Sequence, residues 1–298
     1  DSEPMDFTDC AVATPEPDGD WALVITHGGL AAGLSSEMPS YGDALTDGQI
    51  QALIGYIRGF CAEPGWPIGT LNFPRPIFTE KAFPENEFLL LPEFSDGVTR
   101  FGLRAIYERR LGRRGQVEVR VPFESVSAAG ARRSGLGDVT LAGKYVVNTD
   151  RAMTRITTVG LEVSLPTGDE DDGLGHGTAG FEPYLAFGTT LGDLYLQTQL
   201  KVESPASDPV SDAELGYNVY VGFDLSEFLT TWTLGLELNG VARDLALTPQ
   251  LRKGLTRTGA IAVASGVQIP LTNRDVRRVR WVGYFLWEYL DPVFAVKN

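Results

Sequence analysis

Residues 213–224 read AELGYNVYVGFD, and the reading of this stretch decides the fold. Ala213, Leu215, Tyr217, Val219, Val221 and Phe223 fall on one side; Glu214, Gly216, Asn218, Tyr220, Gly222 and Asp224 fall on the other. A period of two sends successive side chains to opposite faces of a β-strand. The same alternation runs through residues 231–239, 194–203 and 116–124. Strands read this way are about 10–14 residues long, against a usual mode of about 5–6, and a tilted membrane-crossing strand needs roughly 9–11.

Working outward, twelve such segments lie at 85–94, 99–110, 115–124, 136–148, 153–166, 178–190, 192–204, 211–224, 230–243, 246–254, 257–270 and 276–290. An even number leaves both ends of a barrel on one side of a membrane. Leu111–Arg114, Thr190–Asp193 and Ser226–Leu229 are short connections, whereas Ser125–Gly137, Gly168–Gly177 and Ser204–Val210 are long and polar. Short turns on one side and longer loops on the other are the habit of outer-membrane barrels. Arg104, Glu108, Glu118, Arg120, Lys144, Glu162, Glu182, Lys201 and Glu237 share the polar face. In a soluble sandwich they would face bulk water; in a barrel they line a lumen, where they can pair with one another. Phe94, Phe101, Tyr107, Phe123, Phe223, Trp281, Trp287 and Tyr289 stand near strand ends, where membrane barrels carry aromatic girdles. The fold expected is mainly β: an antiparallel outer-membrane barrel of about twelve strands over 85–298.

Composition narrows the function. The 298 residues carry 39 acidic and 25 basic side chains, a net charge of −14, which argues against a nucleic-acid partner. No apolar run reaches membrane-helix length. Two histidines and two cysteines starve a zinc site of ligands. No nucleophile elbow and no phosphate-binding loop is present, so no enzyme is expected. His27 is read as a surface or capping residue, and His176 as part of a loop whose acidic run Asp169–Asp172 could hold Ca²⁺ or simply be solvated. The basic run Arg274, Arg277, Arg278 and Arg280 suits a loop near anionic head groups. No secretory signal precedes Asp1, so the chain is read as processed or as a fragment.

Ahead of the barrel, residues 1–62 have a different style. Thr46 and Gln49 stand in capping-box spacing, and Ile50, Leu53, Ile54, Ile57 and Phe60 recur at helical spacing behind them. A weaker helix spans about 20–26 and stops at Gly28–Gly29. Residues 63–84 hold Pro64, Pro67, Pro74, Pro76 and Pro84, cannot form regular structure, and are read as a linker.

Two resemblances follow. Gly135–Leu136–Gly137–Asp138–Val139, Leu165–Pro166–Thr167–Gly168 with its acidic loop, and Gly266–Val267–Gln268–Ile269–Pro270–Leu271 resemble the outer-membrane barrels grouped as phenol-degradation meta-pathway transporters. That resemblance implies a twelve-stranded barrel with an unassigned solute. Glu37–Met38–Pro39–Ser40–Tyr41–Gly42, Leu45–Thr46 and the helix ending Ala52–Arg58 resemble the C-terminal half of a class I c-type cytochrome. This second resemblance implies haem c with Met38 as axial iron ligand and Tyr41, Leu53 and Ile57 lining its pocket. A thioether ligand raises the haem potential, as electron transfer requires. The family's Cys-x-x-Cys-His is absent from the chain: either it lies upstream of Asp1, or the unit does not bind haem. Cys10 and Cys61 bracket the unit, and in an oxidising compartment a disulfide between them is expected over two free thiols.

The first functional expectation is therefore a Gram-negative-type outer-membrane protein with a periplasmic cytochrome-like unit, passing electrons to a periplasmic redox partner. The second is a passive channel or transporter for a small compound, hydrophobic ones included, with a non-haem periplasmic unit. A third, a structural subunit of an envelope assembly, fits as well.

Overall fold

The computed structural model describes residues 5–61, 65–95, 100–128, 131–205 and 213–290. In the N-terminal unit, α1 (Cys10–Ala13), α2 (Asp18–His27) and α3 (Asp47–Arg58) enclose a small core of Ala13, Trp21, Ile25, Ile50 and Ile54. The Thr46 side chain accepts from the Gln49 amide and the Gln49 side chain reaches back, a reciprocal cap that satisfies two otherwise orphaned donors. Gly28, at φ 81°, ends α2 where a side chain would be strained. Cys10 and Cys61 form the disulfide. The predicted stripe on α3 splits: Ile50 and Ile54 are buried and Ile57 half-buried, but Leu53 and Phe60 face outward.

The β part comprises β1 (Glu87–Ser95), β2 (Arg100–Leu111), β3 (Gly115–Ala128), β4 (Ala131–Leu136), β5 (Thr140–Thr149), β6 (Arg155–Ser164) and β7 (Gly180–Leu191). It continues with β8 (Leu194–Pro205), β9 (Glu214–Asp224), β10 (Trp232–Val241), β11 (Asp244–Gly254), β12 (Ile261–Pro270) and β13 (Arg280–Glu288). All neighbours pair antiparallel, and β1 bonds to both β2 and β13, which closes the sheet. Both β4 and β5 lie against β3, separated only by Gly137–Val139, so they are two pieces of one stave. Twelve staves result, and closure leaves no sheet edge for lipid to meet.

Several boundaries differ from the sequence reading: β12 and β13 begin at Ile261 and Arg280, each four residues later than expected. Ser125–Gly137 is not a loop: Ser125–Ala128 pairs with Ala131–Ser134 and extends the hairpin past its neighbours. The predicted loop Ser204–Val210 falls mostly outside the described residues. Otherwise the faces sort as the alternation requires. Leu141, Val159, Leu161, Leu185, Leu200, Leu234 and Leu236 are exposed, while Glu108, Thr158, Gln197, Glu237 and Thr248 are wholly or almost wholly buried. Apolar outside and polar inside is the pattern of a barrel solvated by lipid.

Aromatic rings gather at both rims. Phe94 lies 5.1 Å from Phe101 and 5.1 Å from Trp281 at one end. Tyr289 lies 5.4 Å from Tyr107 and 6.4 Å from Trp287 at the other. Trp281 and Trp287 are six residues apart on β13, about 20 Å along a strand. Among the described residues no helix is long and apolar enough to cross a membrane.

Candidate functional site: the lumen and the segment inside it

The largest departure from the sequence reading concerns the Pro-rich stretch. Apart from its first residues, which are not described, it does not hang between two units as a linker; from Leu71 to Glu85 it is lodged inside the barrel, almost wholly buried. Prolines deny this segment its own hydrogen-bonded structure. Its buried backbone groups still need partners, and the barrel wall supplies them. Gln197 donates to the Pro74 carbonyl at 2.8 Å, and Tyr284 to that of Arg75 at 2.8 Å. Thr158 donates to the Ala82 carbonyl at 2.6 Å. Gln199 accepts from the Glu80 amide at 3.3 Å and Gln116 from the Glu85 amide at 2.7 Å. The Glu237 carboxylate accepts from the Phe78 amide at 3.1 Å, from the Thr79 hydroxyl at 2.6 Å and from the Thr79 amide. The contacts come from strands all round the ring.

Charge is matched in the same way. The lumenal charges pair with one another only in part: Arg120 with Glu118 and with Glu162, and Lys201 with Glu182. The segment answers several of the others. Its Glu80 takes Lys144 at 3.0 Å and Arg120 at 3.1 Å, and its Arg75 takes Glu108 at 2.6 Å and Glu87 at 3.0 Å. Glu80, Glu108 and Glu118 bring oxygens within 4.8 Å of one another, as metal ligands would, but these three cations already neutralise them. Apolar side chains seal the packing. Leu71, Phe73, Ala82 and Phe83 lie against Val146, Ile156 and Tyr184, and Ile77 lies against Leu89, Ile106 and Val282. Tyr184 itself lies across Gly160, where an added Cβ would come within 2.2 Å of its ring.

This inner strap separates two chambers. At the end that carries the longer connections, a cavity of about 550 Å³ is lined by Arg100, Arg104, Arg277, Arg278 and Arg280, with Glu93 and Glu124 among them. At the short-turn end, a cavity of about 1300 Å³ lies between the strap, the barrel rim and the N-terminal unit. Asp20, Asp193, Asp224, Glu227 and Glu288 give it acidic walls. The unit docks on this rim. His27 Nε2 lies 3.3 Å from Glu227 Oε1, with its ring 5.4 Å from Phe228, and Arg257 donates to the Leu30 carbonyl at 3.2 Å.

The haem expectation meets a different arrangement. Met38 and Ile57 pack into the small helical core against Trp21, Ile25, Ile50 and Ile54, while Tyr41 and Leu53 are exposed and line neither chamber. Both cysteines are consumed by the disulfide. The residues present do not fit a c-type haem. His176 and the acidic loop also differ from a Ca²⁺ site. The His176 amide and Nδ1 lie 2.8 and 2.9 Å from Asp138 Oδ2, Asp172 pairs with Arg133, and the carboxylates of Asp169–Asp172 do not converge. Asp138 Oδ1 accepts from the Gly168 amide at 2.9 Å, and Thr167 Oγ1 accepts from the Val139 amide at 2.9 Å. Two of the sequence strings that carry the barrel resemblance, 135–139 and 165–168, are thus one tertiary latch.

A closed twelve-stave barrel with a polar lumen is the architecture of outer-membrane channels. The comparisons agree. A family model described as "Putative MetA-pathway of phenol degradation" matches residues 100–246. An outer membrane channel from Pseudomonas putida F1 superposes with a TM-score of 0.51 at 15% identity, covering 72% of this chain and 99% of that one. The KdgM porin superposes with a TM-score of 0.50 at 11% identity, covering 68% and 99%. A search of curated protein sequences gives no match. At such identities the likeness carries the fold, which is that of outer-membrane channels, and it gives the cytochrome reading no support.

Proposed function

We propose that the protein is an outer-membrane channel for a small compound, held shut at rest by its own strap. The carrying observation is that the lumen is filled by the chain segment leading into β1, held to the wall by hydrogen bonds and ion pairs, and not by the barrel's own side chains. A barrel needing only a solid core would pack its wall residues against each other, as small barrels do. Here the wall residues are shaped to hold something else. The N-terminal unit sits at the short-turn end, which in such barrels faces the periplasm, and the disulfide suits that oxidising compartment. No redox step is required of the unit: it caps the inner chamber.

The experiment is conductance of the full chain in planar bilayers. Wild type is expected to conduct rarely, and Glu237→Ala, which strips the acceptor from Phe78 and Thr79, to conduct more often and at a higher level. A purified, folded chain that stays non-conducting in both forms would sink the proposal.

A further inference from the structure

Within the outer chamber most charges are answered. Arg280 donates to Glu93 at 2.6 Å and to Gln268 at 2.8 Å, Arg100 pairs with Glu124, and Arg277 reaches the Leu245 carbonyl at 3.2 Å. Arg104 differs. It faces the lumen from β2, four residues further in than Arg100, about 13 Å along the strand, and no hydrogen bond or ion pair joins it to another described residue. The nearby carboxylates are already engaged, Glu93 by Arg280 and Glu162 by Arg120. The same chamber has an apolar side formed by Leu91, Val282 and the strap's Ile77 and Phe78.

From this we infer that Arg104 is the anion-binding residue of a solute site, and that the site takes a small aromatic or otherwise apolar monocarboxylate. The inference rests on the channel reading and names the solute class for it. A guanidinium presents a planar fork of donors that matches a carboxylate in bidentate fashion. Of the two chamber arginines without a partner among the described residues, Arg104 and Arg278, only Arg104 stands across from Leu91 and the apolar side; one carboxylate answers it, and the apolar side calls for a hydrophobic body, not a polyhydroxylated one. A chamber of about 550 Å³ lies within the usual range for small-ligand sites. Because Phe78 and Ile77 belong to the strap, a bound solute touches both the wall and the element that closes it. Arg278, also without a partner but at the exposed rim, serves as a control cation.

The test is calorimetric titration of the full chain in detergent with benzoate, and with benzyl alcohol as its uncharged analogue. Benzoate is expected to bind wild type more tightly than benzyl alcohol does. Arg104→Gln should weaken benzoate at least ten-fold, Arg104→Lys should restore part of the loss, and Arg278→Gln should change little. Equal binding of the two probes, no benzoate binding by wild type, or unchanged binding in Arg104→Gln would each overturn the inference. Potassium chloride conductance of the same preparations reports on the channel separately. Conductance with an indifferent Arg104 rejects only the solute class, whereas no conductance even in Glu237→Ala rejects the channel.

Discussion

Asp138 shows what a single side chain can hold. It is 7% exposed, and burial by itself would raise its pKa. Hydrogen bonds from the Gly168 amide and from the His176 ring and amide outweigh that and keep the carboxyl below its ordinary 3.8. A carboxyl whose pKa is depressed on folding stabilises fully at neutral pH, and the contribution is lost as pH falls below the ordinary value and through the folded one. The latch between residues 135–139 and 165–176 is therefore expected to loosen below about pH 4. Amide-exchange protection factors at Gly168 and His176 should drop between pH 5 and pH 3 in wild type. In Asp138→Asn they should be low at both. Protection that stays constant across that range in wild type would show that the loop does not depend on the charge. The sequence made this residue visible only as part of a glycine-rich string; its partners lie 30 and 38 residues away.

At the scale of elements, the strands were legible and the strap was not, and the reason is physical. Alternation is local, so β9 can be read from AELGYNVYVGFD without knowing its neighbours. Pro74, Pro76 and Pro84 announce only that the backbone is irregular, and irregular backbone looks the same in sequence whether it crosses solvent or a lumen. What distinguishes the two is the supply of acceptors and donors at Gln116, Thr158, Gln197, Gln199, Glu237 and Tyr284, scattered along the chain from 31 to 209 residues beyond their partners. The helical unit's cap and disulfide are legible in the sequence, whereas the packing of Met38 against the helical core depends on residues distant in the chain. The unit's stability is expected to depend on that disulfide. Closing a separation of 51 residues restricts the unfolded chain by about 4 kcal/mol in the loop-entropy model. Paired Cys10→Ser and Cys61→Ser changes should lower the unit's unfolding temperature sharply and leave barrel melting unchanged, as circular dichroism in the helical and β regions would separate. Thr46→Ala should cost about 1 kcal/mol by the same measure.

For the whole molecule the question is whether strap and barrel form one cooperative structure or two that can part. The ring closes through β1 and β13 without help from the strap, so the wall's hydrogen bonds survive if the strap leaves. The strap is held by groups all round the ring, and Arg120 joins the most carboxylates among them. Arg120 pairs with Glu80 of the strap, which Lys144 also meets, and with Glu118 of β3 and Glu162 of β6. Removing one member of a buried ion pair typically costs about 3–5 kcal/mol, because the remaining charge stays buried without compensation. In this lumen the carboxylates have a cheaper exit: if the strap moves out, water enters and solvates them. Arg120→Ala is therefore expected to trade strap binding for hydration, not to unfold the barrel. Amides 78–82 should lose exchange protection while those of β7 to β12 keep theirs, and conductance should rise toward the level of Glu237→Ala. Loss of protection across strap and strands together would mean that the segment is the barrel's core, and the lumen would then be a folding device and not a path.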